Sequence, residues 1–377
     1  MAKATEKVTE QKATYPKACD KRLEQIRFTM DDLKVDAVVV TYLPNIRYLT
    51  NFSGSSAVMF ITHDELHFFT DDRYEEQIKT ELFPLPNLQT YIARDVWKYV
   101  KQKKVLKKVV NIIFESDRVT YSDAVAIRNQ LRPLKFKPGV NVVERFTIPK
   151  SPEELEFIRR ACEITLKTYD KVIKKMKNGV SEIDLATEIA YQSRLLGSEG
   201  DPFDIIVTSG PRGALVHGMP TDRKIKQGDL VIFDFGCRVN GFCSDLTRTV
   251  AFQKASKDQK TLYKMLVKAK DHAIANVRPG MNGKTLDEFA RGIIKKEGYG
   301  QYFQHSLGHG IGLVPHEMPT ITFRLDDQIV PEGAVIAIEP GIYIPDKFGM
   351  RVEDLAQVTR TGGKPITTAP TELPVVG

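Results

Sequence analysis

VIFDFGCRVNGFCSDLTRT, residues 231–249, reads as two strands joined by a tight turn. The flanks VIFDFG and GFCSDLT have the apolar character of strands, and the Asn240-Gly241 region supplies the turn chemistry. Each strand carries one acid, Asp234 and Asp245, eleven positions apart. If the two-residue loop is Val239-Asn240, the acids lie directly opposite each other; if it is Asn240-Gly241, they are diagonal neighbours. In both registers they share a face, because strand side chains alternate with period two.

The same device recurs downstream. AVIAIEPGIYI and MRVEDLAQV flank a turn-rich IPDKFG, and Glu339 and Glu353 stand fourteen apart, an even spacing that allows a same-face pair. Between the two acidic pairs, HSLGHGIGL holds His309 between Gly308 and Gly310. Two inward-facing acid pairs are costly through like-charge repulsion and desolvation. A bound cation pair removes that cost. Four carboxylates and one imidazole form an oxygen-rich donor set, which suits Mn²⁺ better than a thiolate-loving metal, with Co²⁺ or Zn²⁺ as further candidates. Two adjacent cations lower the pKa of a shared water and polarise a carbonyl, so the constellation points to hydrolysis. No GxSxG nucleophile motif occurs.

Three more histidines gather near this set: His217 in GALVHGMP, His305 in FQHSLGHG and His316 in LVPHEMP. With His309 they make four of the seven histidines in the chain, a concentration that packing does not explain. Imidazole can donate to a developing oxyanion or shuttle a proton. Arg351, two residues from Glu353, is placed to orient the carboxylates.

The segments DFGCRVNGFCSDLTRT, FQHSLGHGIGLVPHEMP, VIAIEPGIYI and MRVED resemble the pita-bread metallopeptidases, the group containing methionine aminopeptidase, aminopeptidase P and prolidase. The resemblance runs from about Arg22 to the end and is strongest after Asp201. It implies that Asp234 chelates one ion, Asp245 and Glu353 bridge both, and His309 and Glu339 hold the second. It also implies that His217, His305 and His316 line the substrate site. His316 would donate to the substrate carbonyl, His217 would touch substrate near the scissile bond, and His305 would support binding. Glu339 would double as proton carrier.

Length and composition set the frame. The 377 residues allow two domains. Residues 20–147 alternate helix-like and strand-like segments without a catalytic cluster: RLEQIRFTMDDL and RYEEQIKTEL read as helices, DAVVVT and VVNIIFES as strands, and SAVMFITH with ELHFFTD as a strand pair. His63 and His67 in this region read as structural. By resemblance, this α/β domain is the one that aminopeptidase P and prolidase carry and methionine aminopeptidase lacks. Ser151-Pro152-Glu153-Glu154 starts a long amphipathic helix, with Ser as cap, Pro at the first position and Glu closing a capping box. Residues 148–377 then form the expected α+β pita-bread catalytic domain. Its pseudo-two-fold repeat shows faintly in KNGVSEIDLATEIA against RPGMNGKTLDEFARGII, with Asp184 and Asp287 taken as counterparts. Residues 1–19 read as a flexible tail without the apolar core of a secretory signal.

A net charge of +7 raises nucleic acid as a partner, but the lysines are dispersed over segments that read as solvated helix faces, and no nucleic-acid motif accompanies them. No run of eighteen apolar residues occurs, so no membrane helix is expected. Four cysteines without CxxC spacing suit a reducing cytoplasm, and Cys237 and Cys243 read as small buried hydrophobes rather than a disulfide.

The resemblance favours the proline-specific branch, whose substrate is a peptide with proline at the second position. An Xaa-Pro bond has no N–H, which calls for a dedicated site. A dipeptidase must also bind a free proline carboxylate, a task for arginine. Some prolidases carry that arginine soon after the HExP segment; here Thr320 stands in HEMPTITFR and Arg324 follows. Aminopeptidase P is therefore expected ahead of prolidase. A creatinase-like hydrolase or a non-catalytic pita-bread binding protein would not need all five donors. Relatives are often homodimers, and the same is expected here.

Overall fold

The computed structural model describes residues 18–377, so 1–17 of the expected tail lies outside the described residues. The chain divides into two compact units, one ending at Thr147 and the other spanning Ile148–Gly377. In chain order the first contains α1 (Ala18–Leu33), β1 (Ala37–Val40), α2 (Leu43–Thr50), β2 (Ala57–Thr62), β3 (Leu66–Thr70), α3 (Ile78–Glu81), β4 (Leu88–Ile92), α4 (Val96–Lys103), β5 (Asn111–Glu115), α5 (Tyr121–Gln130), β6 (Lys135–Gly139) and α6 (Glu144–Thr147). Its six strands form one mixed sheet, β4-β3-β2-β1-β5-β6, and β2 and β3 pair as the expected hairpin. RYEEQIKTEL breaks into the end of a 3-10 turn at Asp72–Tyr74 and the single turn of α3, which buries no residue. Without an apolar face packed on a neighbour, a helix that short does not propagate. His67 is buried, 3.2 Å from the Tyr91 hydroxyl and 3.4 Å from Glu65, a structural setting.

The second unit contains α7 (Pro152–Val172), α8 (Glu182–Leu195), β7 (Ile206–Ser209), β8 (Leu230–Phe235), β9 (Arg238–Val239), β10 (Phe242–Cys243), β11 (Leu246–Phe252), α9 (Lys257–Asn276), β12 (Met281–Asn282), α10 (Gly283–Lys296), β13 (Gly308–Gly310), β14 (Glu317–Ile321), β15 (Ile329–Val330), β16 (Val335–Ile338), β17 (Gly341–Ile344), β18 (Phe348–Arg351), β19 (Asp354–Thr359), β20 (Gly362–Pro365) and β21 (Val375–Val376). Ser151 and Glu154 form the capping box at the start of α7. Ser256 and Gln259 do the same for α9.

These two caps open the two halves of an internal repeat. Each half runs from a long Ser-capped helix through a left-handed glycine, Gly179 (φ 86°) or Gly280 (φ 82°), to a 14-residue helix, α8 or α10. Antiparallel strands follow: β7-β8-β11 in the first half, β13-β16-β19 in the second. Each half buries its own apolar cluster, one around Val172, Ile189, Phe233 and Phe252, the other around Leu266, Leu286, Ile336 and Ile338. Asp184 and Asp287 are not counterparts in this repeat. Asp184, itself exposed, closes the cap of α8 with Ser181, whereas Asp287 is fully buried two residues further along α10 from the matching position.

Candidate metal centre

The first acidic hairpin adopts the second of the two registers considered. Val239 pairs with Phe242 across Asn240-Gly241, whose positive φ angles of 47° and 82° suit a tight hairpin turn. The same register continues into β8 and β11, where Asp234 lies opposite Thr247, leaving Asp245 its diagonal neighbour. The second hairpin is equally regular. Gly341 pairs with Arg351 on one side of the acids and Ile338 with Asp354 on the other. Glu339 and Glu353 therefore sit opposite each other where the ladder is interrupted. Asp245 likewise falls in a break, between β10 and β11.

His309 comes from the middle of β13, paired with Thr320 on one side and Ala337 on the other. Its flanking glycines are sterically required. A Cβ on Gly308 would collide with the Ala337 carbonyl oxygen, and one on Gly310 with that of Met318.

The five side chains converge within the second unit. Donor atoms of Asp234, Asp245 and Glu353 lie within 4.8 Å of one another, as do those of Asp245, His309 and His316. His309 Nε2 is 3.8 Å from Asp245 and 3.7 Å from Glu339. Asp245 and Glu353 are buried, and Glu339 is partly open. Burial, reinforced by the charge of Glu353, raises Asp245 well above the usual carboxylate range. Glu339 is raised for the same two reasons. Burial and the charge of Asp234 push Glu353 up to about 8. Burial drives His309 down to about 3, so its imidazole is neutral and able to ligate.

The donor set fits a bound cation on one further observation. Glu353 Oε1 is buried and has no hydrogen-bond partner among the described residues, while Oε2 accepts from Thr247 Oγ1 at 2.9 Å. An orphaned carboxylate oxygen beside two other acids is expensive in a protein interior unless a positive charge faces it.

Arg351 supplies part of that charge. It is fully buried, its Nη2 pairs with Asp234 Oδ2, and its Nε donates to Thr247 Oγ1 at 3.1 Å. Nη1 donates to the Tyr343 hydroxyl at 2.6 Å and to the Val216 carbonyl at 3.2 Å. The guanidinium thereby links an acid, the wall of the second hairpin and the segment ending in His217. Tyr343 extends the chain of contacts, because its hydroxyl is 3.0 Å from His305 Nε2. His217 is exposed, His305 half-buried and His316 exposed, its ring centroid 4.2 Å from that of His309. His316 thus stands near enough to Asp245 and His309 to be a donor to a metal as well as to substrate.

Several residues that shape the site escaped the sequence reading. Thr247 joins Glu353 to Arg351. Beneath Glu353, Arg248 donates to its carbonyl and to Asp354 Oδ1 at 2.8 Å, and Lys270 binds the other Asp354 oxygen. Arg291 is held by Asp287 and donates to the carbonyls of Phe303 and His305, both at 2.7 Å, fixing the approach to β13. Of these, only the run TRT after Asp245 and the Asp after Glu353 carried a local signal. Thr247, Arg248 and Lys270 reach Glu353 and Asp354 across 84 to 106 residues, whereas the partners of Arg291 lie 4 to 14 residues away. Cys162, Cys237 and Cys243 are buried, as small apolar side chains would be.

Comparison with known proteins finds a family match for each unit. The profile of metallopeptidase family M24 covers residues 156–360, and that of the creatinase/prolidase N-terminal domain covers 22–146. The chain is 35% identical over 356 residues to an Xaa-Pro dipeptidase of Pyrococcus furiosus, spanning 93% of this chain and 99% of that one. Among solved structures, an Xaa-Pro dipeptidase from Bacillus anthracis superposes with a TM-score of 0.89 at 33% identity, covering 95% of this chain and 100% of its own. An X-Pro aminopeptidase from Thermotoga maritima gives 0.87 at 32% identity, with 94% and 99% covered.

Proposed function

Because the chain belongs to metallopeptidase family M24, we propose that it hydrolyses the Xaa-Pro bond at the N-terminus of peptides, as an aminopeptidase P rather than a strict dipeptidase. The observation that carries the reading is the convergence of Asp234, Asp245, His309, Glu339 and Glu353 on one pocket with an orphaned Glu353 oxygen. In this proposal those five residues hold two divalent ions, Mn²⁺ foremost. Bound there, the ions would supply Lewis acidity and water activation.

The protein's own groups do the rest. Arg351 pairs with Asp234 and fixes where that carboxylate points. Tyr343, bridged between Arg351 and His305, sets the orientation of the His305 ring. Burial lowers His305 to about 3, with Arg351 adding to the effect, so it meets substrate as a neutral imidazole. His316 Nε2 or Nδ1 donates to the scissile carbonyl oxygen as negative charge develops there. His217 lines the same side. Glu339, a carboxylate once cations are bound and partly open to solvent, takes the proton of the attacking water and passes it to the departing proline nitrogen. That nitrogen needs a delivered proton because a secondary amine leaves poorly as an anion.

One observation favours the dipeptidase reading. Arg324 is exposed and donates to the Gln304 carbonyl at 3.1 Å, next to His305, where it could meet a free carboxylate. Relatives bear both names. Comparing cleavage of an Xaa-Pro dipeptide with an Xaa-Pro-Xaa tripeptide separates them. Faster cleavage of the tripeptide supports aminopeptidase P, and cleavage of the dipeptide alone makes the enzyme a prolidase. The homodimer is part of the same proposal, and light scattering that finds only single chains would remove it. No helix among the described residues is long and apolar enough to cross a membrane.

A further inference from the structure

Glu317 directly follows His316 and opens β14. Its carboxylate does not face solvent. Lys150 Nζ lies 2.5 Å from Glu317 Oε1, with the two side chains 1% and 7% exposed. The lysine is itself fixed at both ends. Its ammonium donates to the Ile148 carbonyl at 2.8 Å, and its backbone N–H donates to the Gly333 carbonyl at 2.9 Å.

The other Glu317 oxygen packs against Gly312, where an added Cβ would approach to 2.5 Å. The Gly312 carbonyl in turn accepts from Cys243 N–H at 2.7 Å, which ties that glycine to the first acidic hairpin. Residues 313–316 therefore run between two anchors, Gly312 and Glu317, and His316 sits beside the second. Backbone pairing alone does not hold this return. The ladder between β13 and β14 slips between His309 and Gly310, so that Gly310 pairs with Glu317 while His309 pairs with Thr320. A slipped ladder bends the strand and loosens control over where a neighbouring side chain points.

A buried ion pair is weak evidence for stability, since a well-packed apolar pair is often as good. Its geometric effect is more specific: it fixes the backbone position immediately after His316. We infer that Lys150 is a positioning residue for His316, acting through Glu317. The inference rests on the peptidase reading above for its kinetic consequence but not for its structural one. Lys150 touches neither substrate nor metal donors in this scheme. It holds the loop so that the His316 ring stays against His309 and aimed at the carbonyl oxygen.

The test is a double-mutant cycle on the metal-loaded, full-length protein, with Lys150→Met, His316→Ala and the two combined. Lys150→Met should lower kcat about tenfold or more, the scale expected when a reacting group shifts by a fraction of an ångström to one ångström. KM and bound metal should stay near wild type. In the His316→Ala background the same substitution should change kcat less than about twofold, because the residue it positions is gone. The rate at which diethyl pyrocarbonate modifies His316, followed by peptide mapping, should change several-fold. His63, partly exposed in the first unit, should react as in wild type. If Lys150→Met does not fold, Lys150→Met/Glu317→Leu removes both charges and should show the same kinetic pattern with thermal stability restored. Independent, multiplicative losses in the cycle, or an unchanged His316 modification rate, would overturn the inference. Failure of the wild type to cleave any Xaa-Pro peptide would overturn the peptidase reading, and the modification rates would then decide the role of Lys150 alone.

Discussion

Filling the acidic pocket with metal at neutral pH should expel protons, and the number follows from the surroundings of three carboxyls. Burial and the charge of Asp234 push Glu353 up to about 8 in the metal-free protein. At pH 7 a group with that pKa holds about 0.9 proton. Asp245 and Glu339 are also raised well above the usual carboxylate range, by burial first and then by Glu353. A cation binds these groups only as carboxylates, so loading should release roughly 1–3 protons per chain at pH 7. His309, held near 3 by burial, is already neutral and contributes none. The linked effect on stability has a definite sign. Between the ordinary value of 4.5 and about 8, folded Glu353 binds more proton than the unfolded chain does. The stability this group contributes to metal-free protein is therefore complete below about 4.5 and lost as pH rises through about 8. Metal reverses the trend, because fewer protons remain to be displaced as pH rises, and the stabilisation by bound Mn²⁺ should grow across the same window. Titration calorimetry with Mn²⁺ in buffers of different ionisation enthalpy measures the release directly. Full metal binding at pH 7 with no proton release would refute this account of the pocket.

Three substitutions probe the remaining assignments. Asp245→Ala should abolish peptide hydrolysis and reduce bound metal, and near-normal turnover at full metal load would reject Asp245 as a shared ligand. His316→Ala should cut kcat by about 10²–10³, the usual cost of losing an oxyanion donor, with metal content unchanged; loss of metal would instead make His316 a ligand. Arg351→Met removes the buried partner of Asp234 and the donor to Tyr343. It should destabilise the protein by about 3–5 kcal/mol and lower the melting temperature by roughly 10 °C, read by calorimetry. An unchanged melting temperature would mean that the guanidinium is not needed to neutralise the site.

Much of this architecture was legible because local chemistry specified it. Asn240-Gly241 signals a hairpin because both residues tolerate positive φ, and the acids on either side inherit a common face from strand periodicity. The register itself was ambiguous by one step, since either central pair suits the turn, and the paired strands β8 and β11 resolved it. The Ser151 capping box was equally local and marks the start of α7. What escaped was non-local. Arg351 is 117 residues from Asp234, and Lys270 is 84 from Asp354, so no window of sequence pairs them. Glu317 looked like part of a motif, but its partner Lys150 precedes it by 167 residues. The helical repeat misled in detail, because an acid after an aliphatic residue is a cap at Asp184 and a buried clamp on Arg291 at Asp287. RYEEQIKTEL had the composition of a helix, but its one α-helical turn buries no residue.

The most direct test of the central claim starts from chelator-stripped protein, to which Mn²⁺ is added stepwise while bound metal and cleavage of an Xaa-Pro-Xaa tripeptide are followed together. The account predicts no cleavage without metal, and activity that rises as two ions per chain are taken up. Cleavage that persists in the stripped protein, or a fully loaded protein that cleaves neither the tripeptide nor an Xaa-Pro dipeptide, would contradict it.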